Sequence, residues 1–198
     1  MASIDKQAAA AAIDAFLRAI GRDPSKEPDL IGTGERVADA YVDELCVGYA
    51  VDTKKLVATH AIDTNAPATP GAVVIVRDIP LVTMCPHHLL PATGTATVAL
   101  EPRAKLIGLG TIAALVEAYA RRLTLQEYIG EGVVSDLDAV LSPVWVGCRI
   151  LLAHGCMIAR GERAVGSRVE TLALRGDRTP DRLLTLGVGS GGGAGVEP

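Results

Sequence analysis

The chain has 198 residues, 49% of them hydrophobic and 21% charged, with a formal net charge of −4. That is long enough for one domain with a real core, or at most two small ones, and far from the composition of a disordered chain. With 19 Lys+Arg against 23 Asp+Glu, and aromatics limited to one Phe, one Trp and four Tyr, it lacks the basic surplus and stacking rings of a general nucleic-acid binder.

No apolar run approaches the ~20 residues that span a bilayer. The opening MASIDKQAAAAAIDAFLRAIGRD has neither the basic start nor the compact apolar stretch of a signal peptide. A soluble, cytoplasmic protein with an aliphatic core is expected. In chain order, residues 4–20 read as an amphipathic helix, with Ile4, Ile13, Phe16, Leu17 and Ile20 at helical spacing and Gly21 as the stop. A second helix is predicted over 34–48, with Val37, Ala38, Tyr41 and Leu45 on its apolar face. Residues 72–79 form a β-branched strand closed by Pro80, and 94–100 alternate Thr with apolar side chains as a half-buried strand does. The period turns helical from Gly110 to Glu127 and again over 129–141. Strands are predicted at 146–153, 156–160 and 168–174, with a polar turn near 161–167. Helices, hairpin, helices, hairpin is the order of an α+β domain with antiparallel strands. The chain divides into an N-terminal helical segment (1–30), a main domain (31–176) and a flexible tail (177–198) in which glycines cluster without any apolar period.

The chemistry begins with four cysteines and four histidines. Cys46 and Cys148 sit inside apolar periodicity and read as core; His60 is isolated and reads as a solvated loop residue. Cys85-Pro86-His87-His88 sets a thiol and an imidazole at Cys-x-x-His spacing, and His154-Gly155-Cys156 supplies a second pair. Buried cysteines can be mere small hydrophobes, but both of these pairs fall at ends of predicted strands. Zinc takes thiolate and imidazole in tetrahedral geometry. Cys85, His88 and Cys156 would leave a fourth position for water, a composition suited to catalysis, and zinc brings such a water to a pKa near ~7. His87 and His154 then remain for proton transfer.

The segments GERVADAYVDEL (34–45), VRDIPLVTMCPHHLLPATGTATVAL (76–100), LIGLGTI (106–112), YARRLTLQEYI (119–129) and HGCMIARG (154–161) resemble, in that order, the GTP cyclohydrolase I family. The resemblance implies a T-fold, an antiparallel sheet with helices packed on one face, assembled into a ring-shaped homo-oligomer, usually a decamer, with active sites at subunit interfaces. It places zinc on Cys85, His88 and Cys156, and proton transfer on His87 and His154. Recognition of a small-molecule purine falls on Gln126 and Glu127, where a carboxylate can accept from the N1–H and 2-amino edge of guanine. Arg36 and Arg160 match phosphate-binding positions. Alone, Gln126 and Glu127 would read as a solvated helix end. The implied reaction opens the imidazole ring at C8 by hydrolysis, releases C8 as formate and closes a new ring to dihydroneopterin triphosphate. In it His154 protonates the ring nitrogen and His87 assists later transfers. No nucleic acid or membrane partner is implied.

The chain departs from the family pattern at the phosphate positions. Gly110, Thr111 and Ala114 stand where the family carries Ser, Lys and Arg, and Ile158 stands at a basic position. Pro86 replaces a Glu, and Ser167-Arg168-Val169-Glu170-Thr171 brings charges where small hydroxyls are usual. Losing two cations that face a triphosphate removes charge-assisted hydrogen bonds of roughly 1.5–3 kcal/mol each. These departures open three alternatives: a paralogue acting on a purine base, nucleoside or less phosphorylated purine; a non-catalytic purine- or pterin-binding T-fold protein; and the nitrile-reducing T-fold branch, against which the paired Cys and His ligands argue.

Overall fold

A computed structural model describes residues 4–64, 71–176 and 186–187. The tail expected over 177–198 lies outside the described residues, apart from Leu186 and Gly187. Helix α1 (Lys6–Ala19) starts at Asp5, whose carboxylate caps the Ala8 N–H at 2.9 Å. It packs on α2 (Thr33–Asp39), and Lys6 makes ion pairs with Asp39 at its end and with Asp43 just beyond it. The helix expected over 34–48 is shorter: α2 passes into a π-helical turn (Ala40–Leu45) and a 3-10 turn (Val47–Ala50). Two elements not anticipated from periodicity follow, α3 (Thr53–His60) and the short strand β1 (Ala61–Asp63). Eight residues and three are too few to display a repeat. His60 therefore ends a helix rather than lying in a loop, and its Nδ1 meets the Leu56 carbonyl at 2.9 Å.

The main sheet is antiparallel, in the order β2 (Val74–Met84), β3 (Pro91–Glu101), β5 (Trp145–His154), β6 (Val169–Gly176). Strand β2 runs straight through Pro80, where the sequence predicted its end. It is one of the two edge strands, and a missing N–H on an open edge need remove no ladder hydrogen bond. A bulge between Val76 and Ile79 bends it, with Asp78 at φ 53°. The small strand β4 (Lys105–Ile107) pairs with β1.

Two helices cover one face of the sheet, α4 (Leu109–Ala120) and α5 (Gln126–Leu141). Ile112, Leu115 and Val116 of the first, with Ile129, Val133 and Leu137 of the second, meet Ala96, Val98, Val146, Cys148 and Ile150 of the strands in one fully buried core. By alternation, Ala99 and Trp145 point to the opposite face, where Leu186 packs on them and Glu101 accepts the Trp145 indole N–H at 3.1 Å.

Three expectations need correction along this stretch. The helical period from Gly110 does not run to Glu127: α4 stops at Ala120, and 121–125 are drawn toward the end of β2 by Thr124 N–H donating to the Met84 carbonyl at 3.3 Å. Gln126 and Glu127 consequently open α5 instead of closing α4. Residues 156–160 are not a strand, because β5 ends at His154 and the chain turns into the one-turn helix α6 (Gly155–Ile158). A Cβ at Gly155 would lie 2.7 Å from the Pro91 carbonyl, so only glycine lets the chain leave the sheet there.

Candidate active site

The ends of β2 and β5, the start of β3 and the start of α5 meet at one end of the sheet. Between them is a pocket of about 240 Å³, lined among others by Cys85, His87, His88, Gln126, Glu127, His154 and Cys156. The ligand atoms of Cys85, His88 and Cys156 all lie within 4.8 Å of one another. A tetrahedral ion with arms of ~2.3 Å to sulfur and ~2.0 Å to nitrogen requires donors about 3.6 Å apart. Cys85 Sγ and His88 Nδ1 are 3.8 Å apart, so the donor set fits a thiophilic metal ion. Burial and the adjacent Cys85 thiol push the Cys156 thiol up, as expected of two sulfurs that need a shared cation to ionise together. Cys148, by contrast, is pushed up to about 12 by complete burial and is an inert part of the core. Cys46 is half-buried and likewise raised by burial.

Gln126 is 3% exposed, and every polar atom of its side chain is engaged. Its Nε2 faces Ile150 O at 3.1 Å, Val169 O at 3.0 Å and Thr171 Oγ1 at 3.1 Å. Two of those are carbonyls that can only accept, which fixes the amide's orientation. Gln126 Oε1 therefore turns to His154 Nε2 at 2.8 Å, and because Oε1 can only accept, Nε2 carries the hydrogen. His154 is left with Nδ1 as its exchangeable nitrogen. No spacing rule reveals this clamp, since its partners are 24 to 45 residues from Gln126.

Glu127, the next residue, is exposed at the first turn of α5. His87 is exposed as well, its ring edge-on to His88 with centroids 6.2 Å apart. Arg160 reaches the rim, where its Nη1 lies 3.1 Å from His88 Nε2. Arg36 stands apart from this pocket, donating to Ile31 O at 2.8 Å and Thr33 Oγ1 at 3.0 Å at the start of its own helix. The unusual Glu170 is not a pocket residue: it forms a two-point pair with Arg149 across β5 and β6, at 2.8 and 3.1 Å. Gly110 and Ala114 line a separate groove of about 440 Å³ between β2 and α4. The charged residues lining that groove, Glu117 and Arg121, pair with each other at 2.6 Å.

An α+β domain that gathers two thiols, three imidazoles and a carboxylate into one cleft has the framework of a hydrolytic enzyme with a thiolate–imidazole centre. The family is shown by comparison. The model of the family described as GTP cyclohydrolase I matches residues 9–186, and the chain belongs to that family. A protein named GTP cyclohydrolase 1 from Synechococcus sp. (strain JA-2-3B'a(2-13)) is 37% identical over 188 residues, 92% of this chain and 80% of that protein. Its namesake from Leptospira biflexa is 39% identical over 164 residues, 83% of this chain and 86% of that protein. Among solved structures, the apo form of the archaeosine synthase QueF-Like overlaps 56% of this chain and 100% of its own, at 17% identity and a TM-score of 0.44. The architecture is the α+β T-fold that the sequence resemblance implied, with N-terminal helices and a helix-covered antiparallel sheet.

Proposed function

We propose that the chain is a zinc-dependent hydrolase that opens the imidazole ring of GTP at C8, releases formate and yields dihydroneopterin triphosphate. The observation that carries this reading is the convergence of Cys85, His88 and Cys156 beside His154 and Glu127 in one pocket. Zinc held by those three side chains supplies a Lewis acid and a water acidified to near ~7. Glu127 accepts from the N1–H and 2-amino edge of the guanine. With its Nε2–H committed to Gln126, His154 takes up a proton at Nδ1 from the attacking water and delivers it from there to the purine ring nitrogen as the ring opens. Gln126, its amide fully occupied, contributes to the purine site from its place beneath His154. His87, free at the mouth, serves the later transfers.

At about 240 Å³ the pocket suits a base more than a whole nucleotide, since ligand sites commonly occupy ~300–1,000 Å³. A site completed by a neighbouring subunit accounts for that and gives Arg36 a substrate to meet. The apolar side chains of Phe16 (60% exposed), Ile20 (57%) and Ile31 (59%) also favour a homo-oligomer; the family resemblance makes it a ten-membered ring, in a cytoplasmic protein. Incubating the purified chain with GTP is expected to release formate and produce pterin fluorescence, both lost on chelation and restored by zinc. A metal-free chain that still turns over GTP would sink the mechanism.

One observation favours a second reading, a purine with fewer phosphates or none. Among the described residues, the groove beside Gly110 and Ala114 offers an incoming phosphate only Arg121, and that side chain is held by Glu117 and by the Glu44 carbonyl at 2.9 Å. A substrate panel from GTP to free bases, read by mass spectrometry, separates the two: turnover of guanosine or guanine without turnover of GTP selects the second.

A further inference from the structure

The connection from Cys85 to Leu90 carries two of the proposed ligands and is closed by two backbone hydrogen bonds. Cys85 N–H donates to Leu90 O at 3.0 Å and Leu89 N–H to Cys85 O at 2.9 Å. Closure leaves Leu89 at φ 52°, in the left-handed region that Gly and Asn enter cheaply and Leu does not. Its side chain is 50% exposed, so packing does not hold it there. What reaches it is Tyr41, 48 residues earlier, whose hydroxyl donates to the Leu89 carbonyl at 2.9 Å.

Tyr41 lies in the π turn that follows α2, where Cys46 N–H bonds to the Tyr41 carbonyl at 2.9 Å. Such turns insert an extra residue into a helix and recur at functional sites. This one is pinned from behind. Arg121 donates to Glu44 O at 2.9 Å, Gly48 N–H donates to Arg121 O at 2.9 Å, and a Cβ at Gly48 would run into the Ala118 carbonyl. The Tyr41 ring is thus presented to the loop from a fixed base.

We infer that Tyr41 is a positioning residue of the metal centre: its hydroxyl holds Leu89 in the left-handed conformation and so keeps Cys85 and His88 at ligating separation. This rests on the proposed metal role of those two residues. Tyr41 acts through the loop backbone alone.

The test is zinc affinity by chelator competition on the full chain, in a cycle of wild type, Tyr41→Phe, Leu89→Asn and the double variant. Phe keeps the ring, and circular dichroism checks that each variant is folded. Tyr41→Phe is expected to weaken zinc binding about three- to tenfold, the worth of one net hydrogen bond. The absorption spectrum of its cobalt(II)-loaded form should shift with the ligand geometry. In the Leu89→Asn background, where the new side chain tolerates the left-handed region unaided, the same change should cost less than about twofold. Wild-type affinity in Tyr41→Phe overturns the inference, and so does an equal or larger loss in the Leu89→Asn background. A wild-type chain that binds no zinc overturns the metal reading itself, a distinct result.

Discussion

His154 and Cys156 leave the end of a central strand, whereas Cys85, His87 and His88 ride on a connection at an edge strand of the sheet. The first wall is braced from beneath by a buried amide that ties its own helix to two strands. The second is braced by its own two backbone bonds and one tyrosine hydroxyl. The difference has a physical sense. The buried network fixes the tautomer and direction of His154, as its proposed proton transfer to one ring atom requires. Cys85 and His88, if they take the proposed metal, would be drawn into place partly by the ion itself, so their loop can be held more lightly.

The variants that break this contrast can be ranked. His154→Ala should lower formate release by roughly 10²–10⁴-fold, the usual worth of a positioned acid–base group, while zinc content measured by atomic absorption stays at wild type. Loss of zinc in that variant would mean that the two walls are not independent. Glu127→Gln comes next. Replacing a charged acceptor that faces the guanine edge should raise KM by about tenfold or more, with the melting temperature unmoved because Glu127 is exposed.

Gln126→Ala should show the opposite profile. It leaves the Ile150 and Val169 carbonyls and His154 short of a partner, so stability should fall by ~1–3 kcal/mol in urea unfolding, and kcat should fall with KM nearly constant. A KM effect as large as that of Glu127→Gln would return Gln126 to direct base contact. The smallest effect belongs to the Arg149–Glu170 pair. Arg149 hydrogen-bonded to Glu170 holds that carboxyl below the usual carboxylate range. A depressed folded-state pKa stabilises the protein above the unfolded value and is lost as pH falls through the folded one. Glu170 is more than a third exposed, so only ~0.5 kcal/mol is expected. Comparing acid unfolding of wild type and Glu170→Gln, the gap should close below about pH 4; a gap that persists there would have another cause.

The sequence by itself determined the elements whose apolar residues repeat locally: α1, the α5 core stripe and strand β3. It also singled out the Cys and His pairs that the structure brings into one pocket, because Cys-x-x-His and His-x-Cys are short-range chemical patterns. Tertiary structure alone decided the rest. The break at 121–125, the passage of β2 through Pro80 and the turn at Gly155 follow from neighbours distant in sequence. So do the turning of Glu170 onto Arg149, the Gln126 clamp on His154 and the reach of Tyr41 to Leu89. Periodicity reports which side of an element is apolar. Which donor meets which acceptor across 24 to 48 residues is settled only when strands and helices have packed and every buried polar atom must find a partner.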